Sequence, residues 1–362
     1  MKIISLDLLN FRNYERLSLE FGGGTNILYG NNAQGKTNLL EAVYMSGTSH
    51  SQRLSKDRDM IRFGCDEAHI KTFAENKNRR NRIDIHLRKI KSKGIAVNQL
   101  PVKRASDLFG IINLVSFSPD DLNIIKNGPS ERRRFIDQEL CQIDKIYLND
   151  LKDYNKALDQ RNKLLKDIRN NRSLISTLDV WDEILVKSGI NIIKRRRQFI
   201  SDLSLIVKSI HDGLTMGSEE IEIRYEPSAY DEKFADILFM SRDRDLEIMQ
   251  TTTGPHRDDI SVMVNNTDMR KFGSQGQQRT CALSLKLSEI ELMKEKTGEY
   301  PVLLLDDVFS ELDVKRQKNL LSYIEKTQTL ITCTGLDESI NDRIKADKIF
   351  YVENGSVRSV DS

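Results

Sequence analysis

The chain has 362 residues, of which 38% are hydrophobic and 30% are charged, and its 56 basic and 54 acidic side chains give a formal net charge of +2. No apolar stretch approaches the roughly 18 residues that a membrane-spanning helix needs, and Asp7 lies where a signal peptide would be apolar. We therefore expect a cytoplasmic protein with no membrane partner, long enough to form two lobes.

The N-terminal part of the chain is predicted to be a mixed α/β lobe. Apolar and polar residues alternate at 3–8 and 17–21, which indicates two strands joined by a turn near Arg12. Further strands are predicted at residues 25–29, 83–87 and 111–117, and a helix at residues 38–45.

The chain between the strand at 25–29 and the helix at 38–45 has the G-x-x-x-x-G-K-T pattern of a phosphate-binding P-loop. Its residues are Gly30, Asn31, Asn32, Ala33, Gln34, Gly35, Lys36 and Thr37, followed by Asn38. The glycines allow the backbone to wrap an anion, and the helix N-terminus adds N–H donors. Lys36 is expected to reach the β- and γ-phosphates, and Thr37 to hold Mg²⁺. A glycine-rich turn without a ligand is the alternative, which the flanking strand and helix disfavour.

A helical pattern follows between residues 131 and 210. Apolar residues recur three, four or seven apart, first at Leu140, Tyr147, Leu151, Tyr154, Leu158, Leu165 and Ile168 and then at Trp181, Leu185, Ile192, Phe199, Leu203, Ile206 and Ile210. This predicts two long amphipathic helices with a turn at residues 170–173. Because Asp144, Arg161 and Arg196 interrupt the apolar positions, we expect a short antiparallel helical arm instead of a long coiled coil. Ordinary packed helices of a second domain are the alternative.

Sheet structure returns after the helical segment. Strands are predicted at residues 220–225, 259–264, 301–306, 329–334 and 348–352, and a helix at residues 275–295. The strand at 301–306 is an aliphatic run that ends in Asp306, followed by Asp307, and such a run is typical of a buried parallel strand. Since ligands bind at the carboxyl ends of these strands, we expect Asp306 to hold Mg²⁺ and Asp307, pointing to the other side, to orient a water. A solvated acidic turn is the alternative.

A second anion-binding element is predicted where the helix at 275–295 begins. Ser274, Gly276 and Gln277 lie at its N-terminus, where backbone N–H groups and a capping serine favour an anion. Two phosphate-binding elements are one more than a single nucleotide needs. A twofold dimer, in which each P-loop faces the Ser274 loop of the other subunit across ATP, uses both.

Local runs of basic residues are the sequence's only indication of a nucleic-acid interface, because the net charge is small. The runs 132–134 and 194–197 and the segment 77–93 are rich in Lys and Arg. Such runs form either a solvated helix face or a contact to DNA phosphates. The DNA-binding candidates are Arg132, Arg133, Arg134, Lys194 and Arg195. For residues 132–134, pairing with neighbouring carboxylates is the alternative.

The order of P-loop, helical insertion, Ser274 loop and Asp306 strand resembles the ABC-type ATPases of the SMC and Rad50 group and, within it, the RecF family of bacterial DNA replication and repair proteins. The resemblance covers most of the chain and lies in the segments 30–42, 117–122, 132–137, 253–259, 274–279 and 305–313. The Gly-Pro-His-Arg-Asp-Asp run at 254–259 is highly specific to RecF-like chains, and the sequence predicts no mechanical role for it.

The resemblance implies an α/β fold, an ABC-type ATPase head with mixed β-sheets at residues 1–130 and 215–362, and a helical arm inserted at 131–214. It also implies that ATP and Mg²⁺ drive formation of a homodimer on double-stranded DNA beside single-stranded gaps. RecO- and RecR-type mediators would then help to load RecA on DNA covered by single-strand-binding protein. No zinc hook is expected, and Cys65, Cys141, Cys281 and Cys333 form no C-x-x-C motif.

The chain departs from the wider ABC pattern at two places. Asp307 stands where a glutamate usually acts as general base, so the resemblance implies slow hydrolysis. Residues 332–334 end a strand where many ABC proteins place a histidine, so no γ-phosphate sensor is predicted there. A Rad50-like head that acts with a nuclease and a DNA clamp that never hydrolyses ATP remain as alternative functions.

Overall fold

The computed structural model describes residues 1–52, 56–102, 105–309, 312, 314–335 and 344–360. The chain divides into two compact units, Met1–Asp121 with Leu283–Ser362 and Leu122–Ala282. Each unit contains both strands and helices, so the predicted mixed α/β class is confirmed. Within the described ranges, no helix is both long and apolar enough to cross a bilayer.

The first unit begins with a long series of strands interrupted by one helix. The elements are β1 (Lys2–Phe11), β2 (Tyr14–Glu20), β3 (Thr25–Tyr29), α1 (Lys36–Thr48), β4 (Glu67–Glu75), β5 (Arg80–Arg88), β6 (Gly94–Val97), β7 (Leu100–Pro101) and β8 (Leu114–Phe117). The predicted strand at 111–117 therefore starts later than expected, because Ile111 closes a turn onto the Leu108 carbonyl at 3.3 Å.

The second unit is mainly helical with one small sheet. Its elements are α2 (Asn123–Lys126), α3 (Pro129–Ile143), α4 (Lys145–Ile168), α5 (Leu178–Thr215), β9 (Ile221–Glu226), α6 (Phe234–Met240), α7 (Arg242–Ile248), β10 (Asp259–Val264), β11 (Thr267–Asp268), α8 (Met269–Phe272) and the first residues of α9 (Gln275–Thr297). The remaining elements belong to the first unit: β12 (Val302–Asp306), α10 (Val314–Ile324), β13 (Thr329–Cys333), β14 (Ala346–Glu353) and β15 (Ser356–Val360).

Two six-stranded sheets form the first unit. One is antiparallel with the strand order β2-β1-β4-β5-β6-β7, and the other has the order β15-β14-β3-β13-β12-β8 and is parallel except for β15. Strands β3, β12 and β13 are buried along almost their whole length, as expected for parallel strands that are covered on both faces. Helix α1 contacts strands of both sheets, and its residues 39–48 are all buried. The loop before α1 is thus fixed to the core of the unit.

The two long helices predicted from the apolar pattern are present in the second unit, with one additional break. The first of them is divided at Asp144, whose side chain accepts hydrogen bonds from the backbone N–H of Ile146 (2.8 Å) and Tyr147 (3.0 Å) and so caps α4. Leu140 consequently belongs to α3. Helices α4 and α5 pack antiparallel, and α5 also contacts β9 and α6 within this unit. The arm limits of 131–214 stay a prediction.

Candidate functional site

Two glycines of the P-loop occupy positions that no other residue fits. Gly30 and Gly35 have φ angles of 150° and 115°, in the region that side chains rarely adopt. A Cβ at Gly30 would lie 2.2 Å from the Val352 carbonyl oxygen, and one at Gly35 would lie 2.5 Å from the Asn13 side chain. The loop between β3 and α1 therefore has its shape only because these positions are glycine.

Residues from outside the P-loop hold its second half by hydrogen bonds. The Tyr14 hydroxyl donates to the Gly35 carbonyl at 3.0 Å, and Asn13 Nδ2 donates to the Gln34 carbonyl at 2.8 Å. The backbone N–H of Asn354 donates to Gln34 Oε1 at 2.7 Å. The sequence prediction placed a turn at residues 12–14 but missed this role, since nothing local indicates that the turn lies against the P-loop.

Lys36 is buried within the curve of the loop. Its Nζ donates to the carbonyl oxygens of Gly30 at 2.5 Å and Asn31 at 2.8 Å. Burial lowers the pKa of the Lys36 ammonium, and the nearby carboxylates of Asp307 and Asp306 oppose this shift. A phosphate in the loop would offer a charged acceptor, which binds an ammonium more strongly than these neutral carbonyls.

Thr37 and Asp306 lie together in a cavity that Lys36 also lines. Thr37 Oγ1 donates to Asp306 Oδ1 at 2.9 Å, and Thr332 Oγ1 donates to the same oxygen at 2.7 Å. The cavity has a volume of 220 Å³. Its lining comprises Asn32, Ala33, Gly35, Lys36, Thr37, Asn38, Asp306, Asp307 and Thr332. A hydroxyl and a carboxylate side by side fit Mg²⁺, which prefers hard oxygen ligands and leaves the remaining positions to waters and phosphates.

Asp307 lies in the same cavity as Asp306, which corrects the expectation that it would point to the other side of the strand. Strand β12 ends at Asp306, and Asp307 has a left-handed φ of 54°, so the alternation of the strand does not continue. The backbone N–H of Asp307 is fixed by the Thr332 hydroxyl at 3.0 Å. Aspartate tolerates this conformation better than most residues, and such positions concentrate at functional sites.

The Ser274 loop, in the second unit, has the geometry of a capping box. Gln277 N donates to Ser274 Oγ at 3.2 Å, and Ser274 N donates to Gln277 Oε1 at 3.1 Å. Gly276 is exposed, and a Cβ there would meet its nearest neighbour, Ser274 Oγ, only at 4.0 Å. The chain's own packing thus does not require glycine at 276, whereas close approach of a ligand or partner would.

The DNA candidates in the run 132–134 are largely engaged within the second unit. Arg132 is buried, and its Nε and Nη2 donate to the Asp259 carboxylate at 2.6 and 2.9 Å. Arg133 Nη1 donates to the Asp258 carbonyl at 2.8 Å, and burial lowers its pKa. Arg134 is half-buried. For Arg132 the geometry favours the structural alternative, because its guanidinium already faces a carboxylate.

The two candidates on α5 differ from one another. Arg195 Nε donates to Asp144 Oδ2 at 2.6 Å, and its Nη1 lies 3.8 Å from Asp150. Lys194 is exposed, and its Nζ lies 4.0 Å from Asp231. Lys194 is therefore the most accessible of the five candidates.

The Gly-Pro-His-Arg-Asp-Asp run, for which the sequence predicted no role, surrounds a buried arginine. Arg196 Nη1 donates to Asp258 Oδ2 at 3.0 Å and to the Pro255 carbonyl at 2.6 Å, and Nη2 donates to Asp137 at 2.8 Å. Asp258, only 1% exposed, also accepts from the Tyr225 hydroxyl. We call Asp137, Arg196, Tyr225 and Asp258 the Asp258 cluster. It connects α3 and α5 to β9 and to the loop before β10.

His256 of the same run links this loop to α4. Its Nε2 lies 3.0 Å from the Thr251 carbonyl and its Nδ1 lies 2.7 Å from the Tyr154 hydroxyl. Since a carbonyl only accepts, Nε2 carries the hydrogen, and in the neutral imidazole Nδ1 then accepts from the tyrosine hydroxyl. Burial lowers the pKa of His256 to about 4.

Part of one motif lies outside the described residues. Of the segment 305–313, Ser310, Glu311 and Asp313 are among the residues that the structure does not describe.

The chain is similar to proteins of a known family along almost its whole length. The family model described as the RecF/RecN/SMC N terminal domain matches residues 2–358. A protein of Agathobacter rectalis named DNA replication and repair protein RecF is 58% identical over 361 residues, which cover 100% of both chains. A counterpart of the same name from Lachnoclostridium phytofermentans is 55% identical and covers 99% of both chains.

A solved structure of the recombination mediator protein RecF with ATP, from the RecFOR pathway, superposes with a TM-score of 0.93 at 37% identity. It covers 99% of this chain and 97% of its own. A solved Smc head, 17% identical with a TM-score of 0.58, shares the fold alone and covers 99% of this chain and 97% of its own.

Proposed function

Because this chain belongs to the RecF family, within the group of proteins with a RecF/RecN/SMC N-terminal domain, we propose that it is an ATP-dependent DNA-binding clamp of recombinational repair. The observation that carries the proposal is the 2.9 Å contact of the Thr37 hydroxyl with Asp306 in the cavity that also contains Lys36. A hydroxyl, a carboxylate and a buried ammonium at one helix N-terminus suit the phosphates of a magnesium nucleotide.

Four residues of the cavity have a stated role in the proposed site. Lys36 stabilises the charge of the β- and γ-phosphates, and Thr37 and Asp306 would hold Mg²⁺. When bound, Mg²⁺ supplies charge neutralisation at the phosphate oxygens. Asp307 positions the attacking water, and its side chain is shorter than that of the glutamate usual in ABC ATPases. We expect slow hydrolysis, stimulated by DNA.

A second copy of the chain completes the site. Ser274 and Gly276 of the partner subunit contact the γ-phosphate, with the α9 N-terminus directed at the anion. The glycine that packing does not require at 276 supports this assignment. ATP then favours the closed dimer, because it contacts both subunits only in that state.

The partners in the proposal are double-stranded DNA beside a gap and mediators of the RecO and RecR type, with RecA loading as the outcome. The similarity to relatives named for DNA replication and repair and for the RecFOR pathway supports these partners. Lys194, exposed on α5, is the first basic candidate for a phosphate contact. Residues 1–130 and 215–362 would act as the ATPase head and residues 131–214 as the arm.

Light scattering and phosphate release test the proposal together. We expect MgATP to double the apparent mass and gapped duplex DNA to raise a slow rate of phosphate release. Ser274→Arg should still bind nucleotide but remain monomeric. An ATP-induced dimer of normal stability in Ser274→Arg would contradict the composite site.

A clamp that binds ATP without turnover is the second candidate, and the short side chain of Asp307 favours it. It predicts the same ATP-induced dimer with no phosphate release, whether or not gapped DNA is present.

A further inference from the structure

The Ser274 loop is held from the side by a carboxylate that follows α5. Gln277 Nε2 donates to Glu219 Oε1 at 3.0 Å. Glu219 is reached through a reversal at the end of α5, where Met216 and Gly217 have left-handed φ angles of 57° and 74°. Its side chain is 20% exposed. Glu219 is thus a partly buried acceptor placed against the loop by a defined turn.

This contact fixes which way the Gln277 amide points. A carboxylate only accepts hydrogen bonds, so the amide nitrogen must face Glu219 and the amide oxygen must face the Ser274 N–H at 3.1 Å. With the amide in this orientation, the backbone N–H of Gln277 bonds to Ser274 Oγ at 3.2 Å. A serine oxygen that accepts in this way can still donate its own hydrogen to an anion.

Glu219 also lies close to a buried residue of α5. Its Oε2 lies 3.3 Å from His211 Nε2, and His211 is fully buried. A histidine on the helix, a carboxylate and an amide therefore lie in sequence up to the backbone N–H of Ser274. His211 and Glu219 lie outside the motifs recognised in the sequence.

We infer that Glu219 is a positioning residue for the nucleotide site of the partner subunit. It orients Gln277, and through Gln277 it holds Ser274 and Gly276 in the geometry that receives the γ-phosphate. The inference rests on the proposed function, since it requires that the Ser274 loop closes an ATP-containing dimer.

The test measures the ATP-induced dimer by light scattering beside nucleotide binding to the monomer. Glu219→Ala should weaken the dimer about tenfold or more, because it removes a charged acceptor, and should leave binding of a fluorescent ATP analogue to the P-loop unchanged. Glu220→Ala is the matched control, because Glu220 is exposed and its carboxylate pairs across the surface with Lys208 at 2.6 Å. It should behave like the unmodified protein.

A swap of the two side chains separates positioning from loss of folding. Gln277→Glu alone places two carboxylates against each other and should weaken the dimer. Adding Glu219→Gln restores a donor facing an acceptor, keeps the capping box, and should recover most of the affinity. Urea midpoints of all variants report folding.

The outcomes are distinguishable. If the unmodified protein forms no dimer with ATP, both the proposed function and this inference fail. If it dimerises and Glu219→Ala dimerises equally well, or if the swapped pair is as weak as Gln277→Glu, only the positioning role is wrong.

Discussion

Two Asp-Asp pairs in this chain have opposite uses. Asp306 and Asp307 end a strand at an open cavity, where their partners are hydroxyls and a neighbouring ammonium. Asp258 and Asp259 face the guanidinium groups of Arg196 and Arg132 inside the second unit. The first pair has room for a ligand, whereas the second is committed to holding elements together.

The difference lies in what surrounds the charges and not in the charges themselves. Lys36 is bonded to loop carbonyls, which a phosphate would replace as stronger acceptors. Arg196 is bonded to carboxylates that are part of the fold, so a ligand would have to compete with a buried ion pair. We therefore expect changes in the first region to alter binding and changes in the second to alter stability.

The largest expected effect is in the Asp258 cluster. Arg196→Met should lower the free energy of unfolding by about 3–5 kcal/mol, because it leaves buried carboxylates without their counter-ion. The measurement is the urea midpoint of the second unit. Lys208→Met is the matched control, since Lys208 also lies on α5 but is exposed and pairs with the exposed Glu220 at 2.6 Å, and it should leave the midpoint nearly unchanged. Equal midpoints for the two variants would show that the Asp258 cluster contributes no more to stability than a surface ion pair.

Lys36→Met tests the nucleotide cavity, where we expect binding and not stability to change. Affinity for MgATP should fall at least about 100-fold, equivalent to about 2.7 kcal/mol, because the phosphates lose their buried cation. The urea midpoint should change little, because the methylene chain is retained and only contacts to loop carbonyls are lost. Calorimetric titration with MgATP gives the affinity. Retained tight binding would refute the P-loop assignment.

The pH dependence of stability tests how far the second unit depends on His256 being neutral and buried. The pKa of His256 is about 4 in the folded protein and is expected near 6.5 when unfolded. As pH falls through this window the unfolded chain gains a proton that the folded chain refuses, so stability is lost. Between pH 7 and 5 the protein should lose about 2 kcal/mol more than His256→Gln, which keeps both hydrogen bonds.

Urea midpoints of both proteins at pH 7, 6 and 5 give this difference. Other titrating groups are shared by the two proteins and cancel in the comparison. Parallel pH profiles would show that His256 is not buried in its neutral form.

The smallest expected effect on stability concerns Gly276. Gly276→Ala should raise the free energy of unfolding by about 0.5–1 kcal/mol, because alanine favours the helix and meets no neighbour closely, and yet should weaken the ATP-induced dimer. Gly213→Ala, in α5 with nothing near its Cβ, should stabilise to the same extent without affecting the dimer. Unchanged dimerisation in Gly276→Ala would show that the dimer does not require glycine at position 276.

Local patterns were sufficient to predict the elements that carry the nucleotide cavity. Strand β3 lies within the predicted limits, and β12 and β13 each differ by one residue, because aliphatic runs indicate burial directly. The break at Asp144 was also within reach of local rules, since an aspartate that caps the following turn is a helix start signal.

Contacts between residues that are distant in the sequence could not be predicted from local patterns. The arginines at 161 and 196 looked like interruptions of an apolar seam, whereas both are buried and paired. Arg161 contacts Asp245 at 2.7 Å, and Arg196 contacts Asp258 at 3.0 Å. Nothing near an arginine in the sequence states which carboxylate it will meet. The same reason explains why Asn13 and Tyr14 were not recognised as supports of the P-loop.

The contact of Asn354 with Gln34 has a consequence for synthesis. These residues are 320 positions apart, so the ribosome makes the P-loop long before the hairpin of β14 and β15 that braces it. The first unit is also interrupted by the whole second unit, which is complete before β12 is translated. A nascent chain therefore presents the nucleotide-binding sequence early but completes its supporting contacts last. Nucleotide binding by stalled chains of increasing length would show at which strand the site becomes competent.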